Sequence, residues 1–129
     1  MARKYTYWFS TAMLALLYLT SATFYVVQGD TVRQALGALG FPAYLVPVLI
    51  VVKLLAVVAI LSRVSMALSD LAYAGMLYHL LLAISAHVHA GDTAGAVPAT
   101  LGLLLLIISF LTQNAVRAKP SPYAPPASA

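Results

Sequence analysis

The chain contains no cysteine and no glutamate, and only 8% of its 129 residues are charged. Without thiols, disulfide exchange, a thiolate nucleophile, an iron–sulfur cluster and a c-type haem linkage are excluded for this chain acting alone. The shortage of charge excludes more. Soluble domains carry roughly 25% charged residues, and this chain has too little polar surface to cover a globule. Its seven Lys or Arg against three Asp give a net charge of +4. Those basic residues are few and lie mostly at the ends of apolar stretches, where they orient a membrane protein. No RNA- or DNA-binding signature is present.

Hydrocarbon fills the chain instead. Hydrophobic residues make up 63% of it, and the mean hydropathy is +0.95. Stretches 7–27, 44–62, 66–87 and 97–113 approach or exceed the roughly 20 residues that cross a bilayer. The first follows a basic start, as a signal peptide would, but its apolar run is longer than the usual h-region of about 7–15 residues. It is read as a retained helix. Arg3 and Lys4 precede the first span, Arg63 separates the second and third, and Arg117 and Lys119 follow the fourth. The other side has only Arg33. This asymmetry predicts both termini in the cytoplasm, with an even number of crossings.

Residues 1–118 therefore read as an all-α, antiparallel, integral membrane four-helix bundle. Residues 119–129, KPSPYAPPASA, read as a disordered or polyproline II tail. In the first external loop, GDTVRQALGALGFPA, the spacing predicts a short amphipathic helix. Asp30 or Thr31 would cap it, Gly40 would end it, and Val32, Ala35, Leu36 and Leu39 would share its buried face.

Against this background the polar residues inside the spans stand out. Span three carries Asp70, Tyr73, Tyr78, His79, His87 and His89, and span two carries Lys53. Ionisable groups in hydrocarbon are costly, so each is a candidate functional group. With the turn placed at Val64 and Ser65 and a rise of about 1.5 Å per residue, Lys53 faces the level of Met76 and Leu77, beside Tyr78 and His79. Asp70 lies on the order of 10 Å nearer the surface, between an Arg63 pair and a buried polar network. Lys53 is too deep to snorkel and must lose its proton or find acceptors inside the bundle. Deprotonated it would serve as a base, and charged it would hold an anionic or carbonyl group. In span one Thr11, Leu14, Tyr18, Ser21 and Tyr25 form a stripe at seven-residue steps, read as a bundle-facing seam. Gly102, Ser109 and Gln113 share a face of span four.

The candidate pocket is thus Lys53 with Tyr18, Tyr73, Tyr78, His79, Asp70 and His87. No cofactor is evident from these residues, although buried donors in an apolar setting leave room for a quinone, whose carbonyl needs one. The histidines do not suggest a metal. His79 and His87 are two turns apart, about 12 Å, and no other span has a histidine, so no metal site is expected.

The order of YWFSTAMLALLYLTSATFYV, LGFPAY, VVKLLAV, LSDLAYAGMLYHL and SAHVHAGD resembles the DoxX-like family of small four-helix membrane proteins, over nearly all of the chain except the tail. Asp70 stands where the family pattern is expected to have Glu. The resemblance implies a bundle in the cytoplasmic membrane and, in some relatives, association with redox complexes or quinone-linked sulfur oxidation. Three functions follow as expectations. One is an accessory or quinone-interacting subunit of a redox or stress-related membrane system, partnered by other membrane redox subunits or by a second copy. Another is a cofactor-independent membrane enzyme acting on a small lipophilic substrate. The third is a structural or assembly subunit without a ligand.

Overall fold

The computed structural model describes residues 1–128. It consists of α1 (Ala2–Val27), α2 (Gly29–Ala38), α3 (Leu45–Ser62), α4 (Met66–His89) and α5 (Ala96–Thr112), with a 3-10 turn at Gln113–Ala115. Helices α1, α3 and α4 and the stretch Ala96–Ala115 are each long and apolar enough to cross a membrane, which makes four candidate spans. Helix α1 packs on α3 and α5, and α4 packs on the same two. The four rods therefore stand in a square, with α1 and α4 facing each other along a diagonal. Successive spans are neighbours, so the bundle runs up, down, up, down.

Lipid tails are as apolar as leucine, so burying leucine does not decide which face of a span turns inward. Small and polar residues decide it. Tyr7, Thr11, Leu14 and Tyr18 point inward from α1, and Val46, Lys53, Val57 and Ile60 from α3. Ser69, Tyr73, Met76 and Leu80 do so from α4, and Gly102, Leu106 and Ser109 from α5. Each set recurs at three-, four- or seven-residue steps, the repeat that packs one helix along another. Leu54, Leu55, Val58, Leu82 and Leu104 face outward. At the centre the Ser109 hydroxyl lies 2.6 Å from the Thr11 hydroxyl and 2.6 Å from that of Tyr73, tying three helices through one oxygen. Gly102 permits the approach around it. A Cβ there would lie 2.9 Å from Leu17 Cδ2 and 3.1 Å from Leu80 Cδ2.

The connections close both ends. Arg63 ends α3 at φ 56, and the Ser65 hydroxyl accepts the Leu68 amide at 3.3 Å to start α4. At the loop end, Val32 and Leu36 of α2 are buried with Val46, so the amphipathic helix lids α1 and α3. It begins earlier than expected. Its first turn closes on Gln28, whose carbonyl accepts the Val32 amide at 3.0 Å, and Asp30 pairs with Arg33 at 2.9 Å instead of capping.

The tail is held against the bundle by side chains. Asn114 is buried, and its amide nitrogen donates to the carbonyls of Ser121 (3.0 Å), Ala124 (3.1 Å) and Pro125 (3.0 Å). Its amide oxygen accepts the Ser121 amide at 2.8 Å. Arg3 donates to the carbonyls of Pro126 (2.7 Å) and Ala127 (2.9 Å). Proline removes donors but leaves carbonyls free, and two side chains collect them. The tail is a strap across the end that carries both termini.

The contacts at Gly102 make its size limiting. Gly102→Ala should cost little, because the two leucine methyls can yield. Gly102→Val should lower stability by about 1–3 kcal/mol through overpacking, measured as reversible unfolding in mixed micelles.

Candidate functional site: the intramembrane lysine cluster

Lys53 sits on the inward seam of α3 and is 4% exposed. Held away from water and lipid headgroups, its ammonium uses what α1 offers. Nζ donates to Ser21 Oγ at 2.6 Å and lies 3.4 Å from the centroid of the Tyr25 ring. The ring face supplies negative potential to a cation, an attraction that grows with desolvation. Beside this pair, Tyr18 Oη and His79 Nδ1 are 2.9 Å apart across the α1–α4 diagonal, with the rings edge to face at 5.6 Å. Tyr18 and Ser21 lie three residues apart on one face of α1, so the two pairs are neighbours drawn from three helices.

The stripe on α1 explains the geometry. Tyr18, Ser21 and Tyr25 rise along one face, each near a polar group of α3 or α4. An ammonium carries three donors and no acceptor. One hydrogen goes to Ser21, and a second is taken up by the Tyr25 ring. The cluster therefore keeps donor capacity in an apolar surrounding, together with a histidine whose proton position is set by its partner. Tyr25 also lines a 490 Å³ cavity at the loop end, with Gln28, Arg33, Val46 and Ile50 among its walls.

The other expected site residues lie elsewhere. Tyr78 is 72% exposed and faces outward. It adjoins His79 in sequence, and a helix turns about 100° per residue, so only one of the two can face the cluster. Tyr73 belongs to the Ser109 knot and stacks edge-on with Phe110 at 5.5 Å. Asp70 pairs with neither Lys53 nor Arg63. Its oxygens accept the Ser121 hydroxyl at 2.8 Å and, at the longer distance of 3.5 Å, the Gln113 amide. Arg63 instead donates to the Val116 carbonyl and lies over the Trp8 ring at 5.5 Å.

His87 closes the α4–α5 turn, where its Nδ1 lies 3.0 Å from Asp92 Oδ2. Asp92 also accepts the Gly95 amide at 3.0 Å. The Gly95 amide first, and then His87, hold the Asp92 carboxyl below the usual carboxylate range. Ser21 and Tyr25 are the partners that reasoning about Lys53 alone overlooks, although the seven-residue stripe already contained both.

Residues 9–110 match the DoxX-like family. No curated protein and no protein of solved structure matches the chain.

The diagonal contact can be weighed directly. A double-mutant cycle of Tyr18→Phe and His79→Leu should return a coupling of about 0.6 kcal/mol, the average for hydrogen bonds between membrane helices, and no more than about 1.7 kcal/mol. Additive losses on unfolding would show that the two rings only share space.

Proposed function

We propose, since the chain belongs to the DoxX-like family, that it is an accessory subunit of a redox or stress-related membrane system, and that the Lys53 cluster receives the carbonyl of a lipophilic ring such as a quinone. The observation that carries this reading is an ammonium buried among spans with a single conventional acceptor, Ser21 Oγ. A carbonyl oxygen would complete its donor set. The Tyr18–His79 pair would give a second polar contact on the same ligand, and the loop-end cavity that Tyr25 lines with Val46 and Ile50 would take its ring and chain. Lys53 would hold the oxygen and Tyr25 would orient the ammonium, while His79 would take or release a proton if the ligand changes protonation. We place the protein in the cytoplasmic membrane with both termini inside. Arg3, Lys4, Arg63, Arg117 and Lys119 crowd one end, against Arg33 alone at the other.

The test is equilibrium binding of decylubiquinone to the full chain in nanodiscs, beside extraction of the purified protein for retained quinone. Lys53→Met should weaken binding by about tenfold or more, the loss expected when a charged hydrogen bond is removed, while unfolding stability is kept or raised. Wild-type protein that retains no quinone and binds none would end the quinone reading. Equal binding by the variant would remove Lys53 from the site.

A further inference from the structure

A second recess lies on the other side of the bundle, away from Lys53. Between α4 and α5, toward the end carrying the termini, runs a groove of about 830 Å³, within the roughly 300–1,000 Å³ typical of small-molecule sites. Ala74, Leu77, Leu106, Ile107 and Phe110 form its walls, and the strap residues Pro122 and Tyr123 roof one end. Leu71, Ile107 and Leu111 on its flanks are outward-facing, so the groove is open to acyl chains. Its lining holds one charged side chain, Asp70.

A carboxylate beside hydrocarbon must be satisfied locally. Asp70 has about four acceptor positions and receives only two neutral donors, the Ser121 hydroxyl and the distant Gln113 amide. Among the described residues the ion pairs are Arg33–Asp30 and His87–Asp92. Asp70 is therefore left with acceptor capacity at an apolar wall. The charges around it select the head group that would use it. Arg117 donates to Gln113 Oε1 at 2.8 Å, placing a guanidinium one amide away, and Arg3, Arg63 and Lys119 belong to the same end. That field disfavours an ammonium. A carboxylate or phosphate would set oxygen against oxygen at Asp70.

We propose that this groove binds a neutral lipophile bearing a hydroxyl, which donates to Asp70 while the hydrocarbon body lies along Ala74, Leu77 and Phe110. The Ser121–Asp70 hydrogen bond then couples occupancy to the strap, because ligand and Ser121 share one carboxylate. The site is independent of the Lys53 cluster and does not rest on the reading given for it.

Photolabelling the full chain in phosphatidylcholine nanodiscs with a diazirine-bearing hexadecanol tests this. Label should map to residues 67–77 and 106–111, and unlabelled hexadecanol should compete better than hexadecylamine, palmitate or hexadecane. Asp70→Leu should cut specific labelling about tenfold or more, and Ala74→Trp should abolish it by filling the groove. Ser121→Ala, which frees the strap and leaves the carboxylate, should keep or increase labelling. Equal competition by hexadecane means that an ordinary acyl chain occupies the groove, and overturns the proposal. Stronger competition by the amine or the acid overturns the head-group assignment, and undiminished labelling of Ala74→Trp overturns the location.

Discussion

The ammonium of Lys53 has no water to turn to, and the arrangement of α1 and α3 follows from that. A charged side chain at the middle of a span costs about 2.5–3.5 kcal/mol on insertion scales. Turning α3 so that Lys53 meets Ser21 Oγ at 2.6 Å and the Tyr25 ring face at 3.4 Å recovers part of it. The same rotation brings Val46, Val57 and Ile60 onto the seam, because they lie at seven, four and seven residues from Lys53. One polar requirement thus specifies how a nearly uniform rod of Val, Leu and Ile is turned. Nothing else on α3 distinguishes its faces so sharply.

The same rule repeats along the bundle axis. Toward the loop end the polar layer is Lys53, Ser21, Tyr25, Tyr18 and His79. At mid-bundle it is Thr11, Ser109 and Tyr73. Toward the termini it is Asp70, Gln113, Asn114 and Ser121. Between the layers sit Leu14, Met76, Leu80 and Leu106, all buried. Hydrogen bonds in the layers define the register of the rods, and the apolar residues between them exclude water and lipid from those bonds. Each end is then closed by the chain itself, through α2 on one side and the strap on the other.

The spans were legible in the sequence because length and hydropathy are properties of a segment taken alone. So was the seam of α1, whose hydroxyls recur at helical spacing. The membership of the site was less legible, since it depends on how neighbouring rods are rotated. Depth placed Tyr78 and His79 equally close to Lys53, and only the turn of α4 separates them. Asp70 reads equally as an Arg63 pair or as a member of a buried polar network, and only the packed chain shows that its partners are Ser121 and Gln113. What holds the tail is not visible in composition. A proline- and alanine-rich average carries no trace of one buried Asn114, whose side chain makes four hydrogen bonds to that segment.

A comparison of magnitudes bears on why Lys53 is there at all. Hydrogen bonds between membrane helices return about 0.6 kcal/mol on average and at most about 1.7. A cation over an aromatic ring adds about 2 kcal/mol when desolvated. These gains roughly cancel the insertion penalty of about 2.5–3.5 kcal/mol. Methionine or leucine at the same place would meet no such penalty and would pack against the same walls. As a pure stabiliser, then, lysine holds no advantage over an apolar side chain of similar length. What it offers that an apolar residue cannot is a donor to a group arriving from outside the chain. The Thr11–Ser109–Tyr73 knot differs in kind, because each of its hydroxyls finds its partner within the protein and none carries charge. Of these two layers of buried donors, the lysine layer is the one that keeps a hydrogen to give.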